Sequence, residues 1–109
     1  MAEVEKVFRC IAHRLPMRAV EEIEAVVNRG LAGCAHAQPG GLRQILLMDA
    51  ETLEEVGLRP GEVKENITTR GLNVRELRGR RGMLCRVVAG GRIRAGDSIL
   101  ALEYERVGE

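Results

Sequence analysis

Two groups of residues in this 109-residue chain have types and spacings that could do chemistry. The first is Cys34, two positions before His36, inside the glycine-rich stretch NRGLAGCAHAQPGG. A thiol is a nucleophile only as the thiolate, which needs nearby cations or amide dipoles in an accessible place. An imidazole that titrates near neutral pH is a fitting neighbour. The competing reading makes Cys34 a small buried side chain and His36 a loop histidine bonded to backbone. The second group combines Arg43 with Asn66, Thr68, Thr69 and Arg70. Guanidinium forks grip anions in paired contacts, and amide and hydroxyl groups from an extended strand can complete the coordination. Here too there is a local alternative, with Asn66 and the threonines satisfying a turn and Arg43 pairing with Glu51 or Glu65 at the surface. No Ser-His-Asp set, phosphate-gripping GxxxxGK loop or metal-ligand cluster accompanies them.

The elements that must position these residues centre on Gly40 to Leu72. Gln44 to Met48 is a short continuous apolar run, the length of a strand buried on both faces. Asp49 can cap a following helix over Ala50 to Val56, with Glu51 near the positive end of its dipole. Leu53 and Val56 are expected to face inward, Gly57 to stop the helix, and Arg59-Pro60-Gly61-Glu62 to reverse the chain. Val63 to Thr69 is β-prone but polar, as expected of an extended segment lining a cleft. Before this stretch, Val4 to Ala12 reads as a first strand, Met17 to Val27 as either a helix or an edge strand, and Asn28 to Gly41 as a loop. After it come a basic, glycine-punctuated segment with Arg75, Arg78, Arg80 and Arg81, a β-run from Met83 to Val88, a hairpin-type turn at Ala89-Gly90-Gly91, and a strand from Ser98 to Tyr104. Short strands, one helix and glycine-rich turns predict a mainly β, barrel-like fold in one domain spanning residues 1–109.

Composition narrows the function classes. Apolar residues make up 45% and charged residues 30%, and no apolar run approaches the length of a membrane span. The expectation is a cytoplasmic protein with no membrane partner. A net charge of +1 gives no bulk attraction to nucleic acid, and Phe8 and Tyr104 as the only phenyl rings remove the stacking surfaces that single-strand binders use. Nucleic acid is therefore an unfavoured partner, although the Arg75 to Arg81 patch could serve one or an acidic protein. Cys10, Cys34 and Cys85 are expected to be reduced, with Cys10 and Cys85 packing in apolar strands.

Several of these pieces, in order, resemble the MOSC domain, the module named for the C-terminal part of molybdenum cofactor sulfurases. They are Gly30-Leu31-Ala32-Gly33 leading to His36; Arg43 through Glu51; Pro60-Gly61 followed by Glu65-Asn66-Ile67-Thr68-Thr69-Arg70-Gly71; and Arg81-Gly82 through Val87, Gly90-Gly91, Ile93, Gly96 and Asp97. The resemblance covers about Glu21 to Leu100. It implies a β-barrel and binding of the molybdenum cofactor or a related pterin, with Arg43, Asn66, Thr68, Thr69 and Arg70 as cofactor-binding residues and no separate protein-held metal. It also implies sulfur carriage on a cysteine, and a molybdenum enzyme or a cysteine desulfurase as partner.

Two departures qualify what the resemblance implies. Only eight residues separate Leu72 from Arg81, so a block that carries the family's usual active cysteine is absent. In the glycine loop, Gly33-Cys34-Ala35-His36 stands where the family commonly has Gly-Asp-Arg-His. The expected function is thus binding without the usual sulfur-transfer cysteine. The alternatives are a sulfur carrier using Cys34 as persulfide with His36 beside it, or a non-catalytic oligomeric domain. Removing strands from a barrel leaves edges that recruit another chain, so a partly open barrel completed as a homo-oligomer is expected, through the Met83 to Tyr104 hairpin or the first strand.

Overall fold

The computed structural model describes residues 2–35, 40, 44–72 and 82–102. In chain order its elements are β1 (Glu3–Arg9), β2 (Arg18–Val20), β3 (Glu22–Val26), β4 (Gly30–Leu31), β5 (Ile45–Asp49), α1 (Ala50–Glu55), β6 (Ile67–Arg70), β7 (Gly82–Cys85) and β8 (Gly91–Arg94). One sheet runs β2-β1-β6-β5-β7 and a second runs β4-β3-β8. The mainly β expectation with one short helix holds. The two sheets share a core that includes Val4, Val7, Ile45 and Ile67 from the first and Ile23, Ala25 and Leu31 from the second.

Local chemistry explains the central unit. β5 and β6 are parallel, and α1 makes the crossover between them. Asp49 ends β5 in extended backbone, and its Oδ2 accepts from the Thr52 amide at 3.0 Å and from Thr52 Oγ1 at 2.6 Å, which starts α1 as expected. Leu53 is wholly buried, but Val56 is 42% exposed. The inward i, i+3 partner of Leu53 is lost because the chain leaves the helix at Val56, its C-cap, before Gly57. In β1, a bulge between Val4 and Lys6 resets the alternation. Val4 and Val7, three positions apart, can then both face the core.

At the Pro60-Gly61 turn, Gly61 has φ +92° and packs against Phe8, with an added Cβ falling 3.0 Å from the ring Cε1. Gly61→Ala is expected to lower unfolding free energy by about 2 kcal/mol, through left-handed strain and overpacking together. Urea denaturation checks it, with Gly57→Ala, which has a similar φ but nothing near its Cβ, separating the two contributions.

Of the two readings of Met17 to Val27 the strand one holds: the segment is two strands in different sheets, β2 at a sheet edge and β3 between β4 and β8, with the alternating burial of a strand along Glu22 to Ala25. Three expectations are corrected. Ala89-Gly90-Gly91 is not a hairpin turn, because β7 pairs with β5 and β8 with β3, so the chain crosses between sheets there. Gly90 allows that crossing: a Cβ on it would stand 2.9 Å from the Ala25 carbonyl oxygen. The expected Ser98 to Tyr104 strand reduces to a bridge between Ser98 and Glu3, with residues 103 and 104 outside the described residues. The first strand is not an edge, since β1 is paired by β2 on one side and β6 on the other.

The sheets are stitched together where the chain leaves them. Val4 N donates to Asp97 O and Gly96 N to Val4 O, both at 2.7 Å, while Asn28 N donates to Val87 O at 2.9 Å. Among the described residues these links do not close a barrel.

Candidate functional site

The loop after β4 brings Cys34 against the end of β1. Ala35 N donates to Cys10 O at 2.8 Å, and Cys34 Sγ accepts from Cys10 N at 3.3 Å. The same sulfur accepts from Asn66 Nδ2 at 3.4 Å, so two residues singled out in the sequence, 32 positions apart, meet. Asn66 is otherwise tied to β5: its Oδ1 accepts from Leu46 N and its own N–H donates to Leu46 O, both at 2.9 Å. Both ends of its amide are used. Arg9 lies across Gly33, its Nε 3.4 Å from the position of a Cβ there and buried without a hydrogen-bond partner. The arrangement presents N–H donors to a sulfur atom, but Cys34 is buried. His36 and Arg43 lie outside the described residues.

β6 carries the other singled-out residues, and it is core rather than cleft. Thr68 and Thr69 are buried in a strand flanked by β1 and β5, and Glu65 and Asn66, just before it, are buried too. The sequence expectation of a cleft-lining segment is corrected, because most of these polar groups find protein partners, with Glu65 Oε1 and Thr69 Oγ1 the exceptions. Thr68 Oγ1 donates to Glu65 Oε2 at 2.8 Å, and Gly61 N donates to the same oxygen at 2.9 Å. Arg70 Nε donates to Glu5 Oε1 at 2.6 Å, and its two terminal nitrogens donate to Glu54 at 3.2 and 3.1 Å. Hydrogen bonds to Glu5 first, and to Glu54 next, hold the guanidinium pKa above its ordinary value.

Thr69 is different. Its Oγ1 is buried with no partner, and so is Oδ1 of Asp49. The two residues are register partners across the parallel β5/β6 pair, and Val4 is the partner of Thr69 across β1/β6. Alternate residues of a strand share a face, so Thr69 stands on the face of Ile67, and Asp49 on that of Leu47. One row along that face, Leu47 and Ile67 line a cavity of about 410 Å³ together with Val4 of the first sheet and with Ile93, Ile99 and Leu100 from the second sheet and the segment after it, a lining that does not include Thr69 or Asp49. Arg92, Asp97 and Ser98 also line it. Arg92 and Arg94 share one carboxylate, Glu22, at 3.7 and 3.0 Å.

The molybdenum cofactor implied by the resemblance places two demands on such a site. Its phosphate needs donors, yet of the residues assigned to it Asn66, Thr68 and Arg70 are committed to protein partners and Thr69 alone among the described ones keeps a free hydroxyl. The set as it stands does not form a phosphate grip. Its heterocyclic body needs an apolar slot with polar groups at one side, and the inter-sheet cavity has apolar walls with Arg92, Asp97 and Ser98 as its polar lining. Asp49 reads from sequence only as a helix cap. That its Oδ1 is left without a partner beside Thr69 was legible only through the strand register, as was the approach of Cys10 to Cys34 and of Arg9 to Gly33. Among the described residues no group of three or more His, Cys, Asp or Glu could hold a metal ion, and no helix is long and apolar enough to cross a membrane.

No family model and no curated protein sequence matches this chain. A solved structure, that of the YUAD protein from Bacillus subtilis, is similar to it with a TM-score of 0.72 over 88% of this chain and 92% of that one, at 14% sequence identity. At that identity the likeness carries the fold alone: the overall architecture is one that a solved protein shares.

Proposed function

We propose that the chain is a MOSC-like binding module that takes a pterin-type small molecule between its sheets without the family's usual sulfur-transfer cysteine. The observation that carries this reading is the largely apolar cavity between the sheets, whose lining row Leu47 and Ile67 is followed on the same strand face by two buried atoms without a protein partner, Asp49 Oδ1 and Thr69 Oγ1. The order of the family-like motifs supports it, and a partly open barrel is the finer form of the fold that goes with it. Titration of the full chain with molybdenum cofactor, and separately with a pterin phosphate, is expected to saturate, and Arg43→Ala to weaken both. No saturable binding of either ligand ends the reading.

Thr69→Val adds a stability readout. It replaces an unsatisfied buried hydroxyl by a methyl of similar shape, so it is expected to raise unfolding free energy by about 1 kcal/mol while weakening ligand binding about tenfold. Such opposed signs are what a group held for a ligand produces. A loss of stability in urea denaturation would mean that the hydroxyl is satisfied in the native state.

A second reading rests on the two N–H donors at Cys34 Sγ and the guanidinium of Arg9 over Gly33. In it Cys34, as thiolate after losing its proton to solvent, takes the terminal sulfur of a desulfurase persulfide, and the desulfurase cysteine leaves as thiolate. Incubation with a cysteine desulfurase and cysteine, followed by intact mass, decides it. A one-sulfur adduct that vanishes in Cys34→Ser supports carriage; no adduct, or one that survives the substitution, defeats it.

Association is part of the proposal. β7 and β8 are sheet edges, and Val88, Leu100 and Leu102 near them are 76, 81 and 75% exposed. A homodimer or larger species is expected in light scattering at micromolar concentration, and a monomer contradicts it. The Arg75 to Arg81 patch lies outside the described residues.

A further inference from the structure

We infer that β7 is the edge through which two copies of this chain join, by an antiparallel pairing of Leu84 with the partner's Leu84 that continues the five-stranded sheet across a two-fold axis. The inference rests on the association proposed above and assigns it to one edge and one register.

The backbone of β7 is open on its outer side. Among the described residues the strand has one neighbour, β5. Leu46 of β5 spends both its backbone groups on Asn66, its N–H on Oδ1 and its carbonyl on the Asn66 N–H, both at 2.9 Å. The register partner of Leu46 in β7 is Leu84. In an antiparallel ladder, a residue that turns its bonding groups away from its partner belongs to a pair that is not hydrogen-bonded, and the partner's groups point away as well. The N–H and C=O of Leu84 therefore point out of the sheet edge. They are a donor and an acceptor on one residue, so a two-fold axis beside Leu84 satisfies both with the same residue of a second copy.

The side chains fix the register. Leu47 and Ile45 face the core between the sheets, so Leu46, Met48 and Leu84 stand on the opposite face. There a Cβ on Gly82 would fall 3.4 Å from Leu46 Cδ1 and 3.6 Å from Met48 Sδ, so both side chains reach over β7. Leu84 is 49% exposed at the end of this apolar row. Pairing with the partner's Leu84 covers it with its own kind. A slip of one residue turns the bonding groups of one strand away, and a slip of two sets Leu84 against the partner's Gly82 or the partner's Arg86. Neither covers the leucine with an apolar side chain.

The other edges are blunted. Arg92 and Arg94 flank Ile93 in β8 and share the single carboxylate of Glu22, at 3.7 and 3.0 Å, so a second β8 would meet arginines with arginines. β2 is three residues long with Arg18 exposed, and β4 is two residues, both buried. β7 has four residues and no charge. An edge of that length makes a small interface, which places the affinity in the micromolar range.

Light scattering of the full chain across micromolar concentrations tests the assignment with four variants. Leu84→Lys puts two like charges opposite each other and is expected to weaken the dimer at least about tenfold. Leu84→Pro removes the outward N–H while leaving the ladder to β5, and is expected to weaken it similarly. Val88→Lys, at a residue 76% exposed but beyond the end of β7, is expected to leave it unchanged. Leu84→Cys, made with Cys85→Ala, is expected to cross-link under diamide, since Cα atoms about 5.5 Å apart in a hydrogen-bonded pair suit a disulfide. Circular dichroism of each variant, expected to match the native chain, keeps a folding defect from posing as lost association. A native dimer that survives both Leu84→Lys and Leu84→Pro, one lost in Val88→Lys, or one that Leu84→Cys does not cross-link overturns the β7 assignment and leaves association standing. A native monomer overturns both.

Discussion

Asn66→Ala is expected to lower unfolding free energy by about 3 kcal/mol and to speed alkylation of Cys34 at least about tenfold. The side chain is 1% exposed and uses both ends of its amide, Oδ1 on the Leu46 N–H and Nδ2 on Cys34 Sγ. Truncation leaves a backbone donor of β5 and a sulfur acceptor without partners, and opens a void between the β4 loop and the first sheet. Each unsatisfied buried group costs about 1–3 kcal/mol, and the void adds to it. The Asn66 N–H to Leu46 O bond survives, so the strand should stay paired while the loop loosens. Iodoacetamide labelling followed by mass spectrometry, with Cys34→Ser to identify the site, reads the second effect. A loss below about 1 kcal/mol with unchanged labelling would mean that Asn66 does not hold the loop.

Leu53→Ala is expected to cost a similar amount, about 3 kcal/mol, because α1 has no other large apolar anchor. A helix of six residues is far too short to persist alone. Ala50, Thr52 and Leu53 are its buried residues, and of these Leu53 supplies the bulk. The contacts of Glu51 Oε2 with Gly71 N and of Glu54 with Arg70 sit in solvent and orient the helix more than they stabilise it. Val56→Ala is the control, expected to stay within about 0.5 kcal/mol because the residue is already at the surface beyond the last turn. Equal losses for the two substitutions in urea denaturation would contradict the packing described for α1.

The strand, cap, helix and turn from Ile45 to Gly61 were legible because each signal is local: an apolar run, an aspartate at its end, a glycine at the helix stop, a Pro-Gly reversal. The fate of β6 was not. Its threonines and Arg70 look like surface or cleft residues until Glu5, 65 positions away, and Glu54 are brought beside them by strand pairing and the crossover. Sheet membership was hidden for the same reason: Ala89-Gly90-Gly91 has the composition of a hairpin turn, but whether the strands it joins pair with one another depends on β5 and β3. Of the proposed site, Cys34, Asn66 and Thr69 could be singled out by residue type. That Cys34 and Asn66 touch, that Thr69 lacks a partner, and that Asp49 stands beside it are consequences of register. The fold likeness to the YUAD protein at 14% identity illustrates the same separation, since architecture is shared where residue identity is nearly lost.

The most direct test of a pterin-type ligand between the sheets is a calorimetric titration of the full chain with a pterin phosphate, run in parallel on the native protein and Thr69→Val. Saturable binding by the native chain, weakened about tenfold in a variant that is itself at least as stable, is the expected result. No saturation in the native chain, or the same affinity in both, would contradict it.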